Sequence, residues 1–415
     1  MILRARTVLP IAQPPIENGA VLISENHVRA VGSWADLKLQ SHANEKIFDL
    51  GEVILLPGLV NAHCHLDYTD MAGQLPPPKN FIDWIPLILA AKSAWSFSDY
   101  ARSWLNGAQM LLKTGTTTVA DIEAVPDLLP EIWDATPLRV FSFLEMTGIR
   151  AQHKPAEILR ETVAKIDSLS HERSRASLSP HAPYSTLPEL LRLSAKAARQ
   201  KKWRLTTHVA ESTEEFEMFA RARGKMFDWM QRNHRDNSDC GLGSPVQHLE
   251  RAGMLNGNFL AVHANYLGEK DAALLTRRKT SVVHCPRSHA YFGHKPFPSE
   301  KLSKAKVNIC LGTDSLATVK TNGKQKMELN MFEEMRVFAQ ANPKISAGQI
   351  LSMATVNGAR ALGLTGQTGE LSKNAFADLI AIPSGGNSSK AAETVVNYPG
   401  DVCASMINGQ WAISP

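Results

Sequence analysis

Residues 53–63 read VILLPGLVNAH, an apolar run that ends in a histidine and is followed by Cys64 and His65. Seven more apolar, β-branched runs follow, and helix-like segments such as residues 187–202 lie between many of them. Those runs are TTTVADI (116–122), RVFSFLEM (139–146), RASLSPHAP (175–183), RLTTHVAE (204–211), FLAVHAN (259–265), TSVVHCP (280–286) and NICLGTDS (308–315). Continuous apolar strands that alternate with helices are typical of a parallel sheet. Eight such units predict the (β/α)8 TIM barrel, an α/β fold.

Residues that can carry chemistry stand at or near the ends of most of these runs. They are His63, His65, Glu145, His181, His208, Glu211, His263, His284 and Asp314. A packed strand has no structural use for an imidazole at its end, and TIM barrels keep their active sites at the C-terminal ends of their strands. The sequence therefore predicts an active site at that end of the barrel.

The two ends of the chain differ from this pattern. The first fifty residues and the final forty contain short β-rich runs that are broken by polar turns. Between His65 and Thr116 lies a long connection, which we expect to be a loop followed by helices. Its position predicts that it lies over the barrel mouth and covers a substrate.

Composition and charge exclude several classes of protein. The chain has 415 residues, of which 44% are hydrophobic and 20% charged, so it is neither disordered nor fibrous. Its net charge of +5 forms no basic stripe, which gives no support to a nucleic-acid partner. We expect no secretory signal and no membrane span, because no apolar stretch is long enough. Five widely spaced cysteines without a CxxC pair indicate reduced thiols in a cytoplasmic protein.

A group of metal-ligand residue types lies at these strand ends. His63 and His65 point to the same side of an extended chain, because side chains alternate along a strand. His208 ends another run and the carboxylate Asp314 ends the last one. Three nitrogens and one oxygen suit Zn²⁺, and Fe²⁺ or Mn²⁺ also accept such ligands. The sequence therefore predicts a site for a divalent metal ion.

The motifs PGLVNAHCHLD, THVAE, VHAN and GTDS, in that order, resemble the amidohydrolase superfamily. The most similar branch is the cytosine/guanine-deaminase-related hydrolases, which include S-adenosylhomocysteine and aminofutalosine deaminases and s-triazine chlorohydrolases. The resemblance covers nearly the whole chain. It implies a metal-dependent barrel at residues 57–368 and a small composite β-sandwich domain formed by residues 1–56 and 369–415.

The same resemblance implies a ligand set. His63 and His65 would bind the metal from strand one, His208 from strand five and Asp314 from strand eight. Binuclear members of the superfamily use a carbamylated lysine near the end of strand four. The fourth run here ends SPHAPYS and has no lysine, so we expect one metal ion, with zinc as the first choice.

Three residues are predicted to carry the catalysis. His263 would hydrogen-bond the metal-bound water, and Asp314 and His263 would accept its proton. Glu211, three residues after His208, matches the proton shuttle of the family. It would protonate a ring nitrogen and then the leaving ammonia, although it could also serve only as a first-turn helix residue.

Three further residues are predicted to bind the substrate. His181 matches a family histidine that contacts the substrate ring, and a supporting hydrogen bond is the other reading. Glu145 is expected to face the pocket. Arg287 could pair with a substrate carboxylate or could tie down its own loop. His284 could support the site from behind.

The sequence thus predicts hydrolytic deamination of an aminated N-heterocycle, such as the adenine-type nucleoside aminofutalosine, by metal-bound hydroxide with release of ammonia. A dechlorinating or amide-opening hydrolase of a triazine-like or cyclic substrate is the first alternative, and a non-catalytic ligand-binding barrel is the second. The helical segment that holds a ribose-binding acid in related deaminases here carries Lys92 and no carboxylate, which argues against adenosyl-ribose recognition and leaves room for a more anionic or non-nucleoside substrate. The expected partner is a small molecule, without nucleic acid or membrane, and the family implies a homodimer.

Overall fold

The computed structural model describes residues 1–40, 45–149, 154–320 and 327–415. Its strands are β1 Ile2–Val8, β2 Ile16–Ser24, β3 His27–Ser33, β4 Ile47–Asp49, β5 Val53–Pro57, β6 Leu59–Cys64, β7 Thr116–Glu123, β8 Arg139–Met146, β9 Arg175–Pro180, β10 Leu205–Val209, β11 Phe259–His263, β12 Ser281–His284, β13 Ile309–Leu311, β14 Leu379–Pro383, β15 Ala404–Ile407 and β16 Gln410–Ile413.

The helices fill most of the connections between these strands. They are α1 Trp34–Gln40, α2 Phe81–Ser93, α3 Phe97–Lys113, α4 Glu131–Asp134, α5 Pro155–Ser168, α6 Pro188–Lys201, α7 Thr213–Arg221, α8 Lys225–Arg232, α9 Pro245–Arg251, α10 Asp271–Arg278, α11 Pro286–Tyr291, α12 Ser299–Lys304, α13 Met331–Ala341, α14 Ala347–Met353, α15 Val356–Leu362 and α16 Ala391–Val396. Short 3₁₀ turns occur at Leu66–Met71, Pro126–Leu128, Leu316–Thr318 and Ser388–Lys390. None of the helices in the described part of the chain has the length and apolar character that a bilayer crossing needs.

Strands β6 to β13 form one parallel sheet in which every strand pairs with its neighbour in sequence. Each strand is followed by helical segments, as a parallel arrangement requires. Sequential parallel order over eight strands is that of a TIM barrel, so the predicted fold class is confirmed. All strand C-termini therefore meet at one mouth.

The first and last barrel strands meet through the residues just beyond them. Cys64 and Asp314 form a parallel bridge. The Asp314 amide donates to the His63 carbonyl at 3.1 Å, and the His65 amide donates to the Asp314 carbonyl at 3.3 Å. A Cβ on Gly312 would lie 2.7 Å from the His63 carbonyl oxygen, so the close approach at this seam needs glycine.

A second, mostly antiparallel sheet combines both ends of the chain. Its order is β16-β15-β14-β5-β1-β2-β3, and β4 pairs with β1. Strand β14 lies antiparallel to β5, with Ile382 opposite Ile54. The sheet is the small β unit predicted from the two termini, while the domain boundaries at residues 56/57 and 368/369 stay a prediction.

The apolar run at residues 53–63, which the sequence predicts as one barrel strand, is two strands in different sheets. Strand β5 ends at Pro57 in the terminal sheet, and β6 begins at Leu59 in the barrel. Between them, a Cβ on Gly58 would lie 2.0 Å from Oγ1 of Thr117. The chain changes sheets at Pro57-Gly58 because only glycine fits against β7 there.

Helix α2 lies at the barrel mouth, as the sequence predicts for this long connection. Phe81 and Trp84 contact Phe292, which follows β12, with ring centroids 5.1 and 5.5 Å apart. Phe81, Trp84 and Ile88 also line the cavity above the strand ends. The helix thus forms an apolar wall over the predicted site.

Candidate active site

Five of the predicted residues meet at the mouth of the barrel. His63 lies near the end of β6 and His65 just after it, His208 lies in β10, His263 ends β11, and Asp314 follows β13. Candidate ligand atoms of His63, His65 and Asp314 lie within 4.8 Å of one another, and so do those of His63, His208 and His263. All five residues are buried. The fold therefore brings the predicted ligand types to one point.

The imidazoles present lone pairs to this point. Nδ1 of His208 lies 2.9 Å from the carbonyl oxygen of His181, and because that oxygen only accepts, Nδ1 carries the hydrogen. The bare Nε2 of His208 then lies 3.3 Å from Nε2 of His65. Burial lowers the pKa of His65 to about 3 and that of His208 well below its ordinary value. Nε2 of His63 has no hydrogen-bond partner among the described residues.

Asp314 adds an anionic oxygen to these nitrogens. Its Oδ1 lies 3.7 Å from Nε2 of His63 and 3.7 Å from Nε2 of His65. Burial alone would raise the pKa of Asp314, but the adjacent imidazoles, first that of His63, hold it well below the usual range. Neutral imidazoles and one carboxylate are the donor set of a mononuclear Zn²⁺-type site, so the residues present fit a divalent metal.

The backbone adopts an uncommon conformation around these side chains. His263, Ala264 and Asp314 have positive φ angles of 72°, 48° and 55°, and Ala210 after His208 has 52°. Non-glycine residues rarely adopt this left-handed region, and they do so where the surrounding structure fixes them. The strand ends therefore turn sharply at the site.

Glu211 lies beside the cluster in a position suited to proton transfer. Its Oε1 atom lies 3.5 Å from Nε2 of His263. Burial, and then the charge of Asp314, raises the pKa of Glu211 well above its ordinary value. The carboxyl group of Glu211 therefore favours its protonated form, which can donate a proton.

Two residues that the sequence analysis missed fix the backbone of Glu211. The Glu215 carboxylate accepts from the amides of Ala210 and Glu211 at 3.0 and 2.8 Å. The side-chain amide of Asn265 donates to the backbone carbonyl of Glu211 at 3.0 Å. Two sequence features could have identified these residues. Asn265 belongs to the VHAN motif, and Glu215 lies three residues after Ser212, the N-cap of α7.

A cavity of about 360 Å³ opens above the cluster, which lies within the usual range for small ligands. His181 and Glu145 face it, with Nε2 and Oε1 3.9 Å apart, and Lys92 reaches it from α2. Eleven of the lining side chains are apolar or aromatic, namely Tyr68, Phe81, Trp84, Ile85, Ile88, Leu89, Ile149, Tyr184, Trp229, Met230 and Phe292. The predicted contacts His181 and Glu145 are thus brought to the cluster.

Arg287 is not brought to this cavity. Its side chain donates to the Glu328 carbonyl at 2.8 Å and lies 3.6 Å from the buried carboxylate of Glu334, which ties its own loop to α13. His284 is also outside the cavity and stacks on Phe297 with ring centroids 3.8 Å apart. Substrate contact by Arg287 stays a prediction.

Comparison with known proteins places the chain among metal-dependent hydrolases. A model of the amidohydrolase family matches residues 54–412. A 5-methylthioadenosine/S-adenosylhomocysteine deaminase of Syntrophobacter fumaroxidans is 31% identical over 379 residues, which cover 88% of this chain and 80% of that protein. A 5′-deoxyadenosine deaminase of Methanothermobacter thermautotrophicus is 27% identical over 88% of this chain and 81% of that protein.

Solved structures share the fold at lower identity. Aminofutalosine deaminase of Helicobacter pylori in complex with methylthio-coformycin superimposes with a TM-score of 0.88 at 21% identity, over 99% of this chain and 100% of that one. An adenosine deaminase of Xanthomonas campestris with bound zinc superimposes with a TM-score of 0.83 at 23% sequence identity, over 99% of this chain and 92% of that one. Atrazine chlorohydrolase of Arthrobacter aurescens with zinc superimposes with a TM-score of 0.83 at 19% sequence identity, over 100% of this chain and 95% of that one.

Proposed function

This chain belongs to the amidohydrolase family, and from that premise we propose that it is a metal-dependent deaminase of an adenine-type nucleoside or a related aminated N-heterocycle. The observation that carries the proposal is the buried acid Glu211, placed 3.5 Å from His263 at the floor of a cavity that also exposes a metal-ligand cluster. The deaminase names of the related proteins support the same reaction class.

His63, His65, His208 and Asp314 would hold the metal, and we propose zinc because the three-nitrogen, one-oxygen donor set suits it. When bound, such an ion lowers the pKa of water toward about 7 and so supplies a nucleophile at neutral pH. The zinc in two of the structures described above supports this choice.

The reaction adds water to the ring carbon that bears the amino group and then breaks the carbon–nitrogen bond, with ammonia as the leaving group. Glu211 donates a proton to the adjacent ring nitrogen as charge develops there. It then takes a proton from the hydroxyl group added to the ring carbon and gives it to the departing nitrogen, which leaves as ammonia. Asp314 and His263 accept the proton that water gives up and return it to Glu211 at the end of the cycle. Each of these side chains belongs to the candidate metal-ligand cluster or lies next to it.

His181 and Glu145 orient the ring in this proposal. Nδ1 of His181 lies 2.6 Å from Oγ of Ser185, so the imidazole has a fixed orientation and its Nε2 faces Glu145 and the cavity. The apolar side chains of α2 exclude water from the bound ring. Low water content strengthens the hydrogen bonds that form there.

We further propose a cytoplasmic enzyme that acts on a small molecule without nucleic acid or membrane, and a homodimer as its assembly. All five cysteines are free thiols, which suits a reducing compartment. Light scattering of the purified protein tests the assembly.

The function is tested by an ammonia assay of the zinc-loaded protein on adenosine, 5′-deoxyadenosine, 5′-methylthioadenosine, pterins and triazines. We expect ammonia from at least one aminated heterocycle. Chloride release from a chlorotriazine without ammonia would favour the dechlorinating hydrolase instead. Binding without turnover, unchanged by Glu211→Gln, would favour a ligand-binding barrel.

A further inference from the structure

Lys92 places a positive charge beside the candidate metal cluster. It lies in the last turn of α2, and its Nζ is 4.9 Å from the ring centroid of Tyr68. The Tyr68 ring in turn stacks on the His65 imidazole, with centroids 5.2 Å apart and planes 8° from parallel. One aromatic ring therefore separates the ammonium group from a predicted metal ligand.

Within contact distance, this ring is the only partner of the ammonium group among the described residues. Neither a hydrogen bond nor an ion pair forms between Nζ and a described side chain. Among the described residues that line the cavity, Lys92 is the sole lysine or arginine. The ammonium group is half-buried beside Trp84 and Ile88, so it has lost part of its hydration, and no carboxylate of the described residues lies at ion-pair distance from it.

Two carboxyl groups near Lys92 do not supply a counter-ion. Glu145 is near enough for the charge of Lys92 to act on it, but it faces His181, with 3.9 Å between Oε1 and Nε2, and forms no direct ion pair with Lys92. Asp67 is fully buried, and neither of its carboxyl oxygens has a hydrogen-bond partner among the described residues. The charge of Lys92 therefore remains open to a ligand in the cavity.

We propose that Lys92 binds a carboxylate carried by the substrate, so that the substrate class is an aminated N-heterocycle with an acidic side arm. The identity of the ring rests on the proposed function, whereas the anion subsite rests on the placement of Lys92. A carboxylate matches one ammonium group, while a phosphate dianion would leave excess negative charge next to Glu145.

Charge compensation of Glu145 is the competing role for Lys92, and a double variant separates the two. If Lys92 only offsets the charge of Glu145, Glu145→Gln should restore ligand binding to Lys92→Met. If Lys92 binds the substrate anion, the double variant should show the same loss as Lys92→Met alone.

The test measures binding of adenine-9-acetic acid and adenosine-5′-carboxylic acid to the zinc-loaded protein by calorimetry, each against its isosteric amide. We expect at least one acid to bind at least about 10-fold more tightly than its amide. Lys92→Met should remove this preference, and Lys92→Arg should keep part of it. The matched control Lys79→Met, which removes an exposed charge just before α2, should keep all of it.

Equal binding of every acid and its amide to the wild-type protein would overturn the proposal, and so would an acid preference that survives in Lys92→Met. Recovery in the double variant would assign Lys92 to charge compensation. Ammonia release is measured separately on the same compounds. A chain that binds the acids through Lys92 without deaminating any compound contradicts the proposed function and leaves the anion subsite supported.

Discussion

The Oε1 atom of Glu211 and the Nε2 atom of His263 lie 3.5 Å apart at the floor of the cavity, although the residues belong to different barrel strands and connections. Burial acts on the two groups in opposite directions. It raises the pKa of Glu211 well above its ordinary value and lowers the pKa of His263 to about 3. Both groups therefore favour their uncharged forms, in which a carboxyl group can donate a proton and an imidazole can accept one.

Replacement of Glu211 by Gln should abolish proton donation while keeping the shape of the side chain. We expect kcat to fall by about 10²–10⁴-fold, since this is the usual contribution of a general acid or base. Zinc content should stay at the wild-type level, because Glu211 is not among the proposed ligands. Ammonia release and atomic absorption check the two statements. Glu217→Gln, which removes a carboxylate that pairs with Arg221 and Arg223 outside the cavity, is the control.

Replacement of Asp314 by Asn should weaken metal binding and activity together. The change removes the anionic ligand and a proton acceptor, and even outer-shell changes cost about 10–100-fold in metal affinity. Zinc retained after dialysis against a competing chelator measures the first effect, and ammonia release measures the second. Full zinc content with wild-type turnover would show that the assigned mechanism is wrong.

Removal of the metal should lower the thermal stability of the wild-type protein. An ion present at 100 times its Kd stabilises the folded state by about 2.7 kcal/mol, and chelation removes that contribution. We expect a lower Tm after treatment with a chelator and recovery on addition of zinc, both measured by calorimetry. In Asp314→Asn the same treatment should shift Tm less, and an equal shift in both proteins would count against Asp314 as a ligand.

The pH dependence of stability should contain a contribution from Glu215. Burial raises the pKa of Glu215 from 4.5 to about 7. The folded state therefore binds a proton that the unfolded state lacks between these values, and this contribution falls as pH rises through the window.

Glu215→Gln removes the titrating group. It also places an amide NH₂ opposite one of the two backbone N–H donors, so we expect the variant to be less stable than the wild-type protein. The Tm advantage of the wild-type protein over this variant should shrink between pH 4.5 and 7, measured by calorimetry. A difference that does not change with pH would contradict the raised pKa. Glu217→Gln again provides the comparison for loss of a carboxylate at the surface.

Two glycine substitutions should have opposite effects on stability. A Cβ on Gly312 would lie 2.7 Å from the His63 carbonyl oxygen, so Gly312→Ala must push apart the seam that carries the proposed metal ligands. We expect a loss of about 1–3 kcal/mol and weaker zinc binding. Gly348, in α14, has nothing within 4 Å of its Cβ position, and Gly348→Ala should stabilise by about 0.5–1 kcal/mol. Denaturant unfolding of both variants measures the difference, and equal stability would contradict the seam contact.

The barrel could be predicted because each strand carries its own signal. Strand β8 occupies the predicted residues 139–146, and β7 begins at the predicted Thr116. Strands buried on both faces are apolar throughout, and the polar residues after them then stand out in the sequence. The same contrast predicted where the candidate site residues would meet.

Features that depend on contacts between distant segments could not be predicted from the sequence of any single strand. The Pro57-Gly58 pair in the run at residues 53–63 marks a turn, but it does not show that the chain changes sheets there, which depends on Thr117 on a neighbouring strand. Likewise, the sequence shows Lys92 but not the Tyr68 ring beneath its ammonium group. The position of Arg287 outside the cavity depends on its contact with Glu334 on α13.

The bridge between Cys64 and Asp314 also sets an order of events during synthesis. The two histidines of the first barrel strand leave the ribosome early, whereas the carboxylate that completes their ion site comes from the last barrel strand. Until that strand has emerged, the nascent chain offers at most an incomplete set of nitrogen ligands. The complete set of proposed ligands therefore exists only after the whole barrel has been translated, and an ion held by that set would link the first barrel strand to the last.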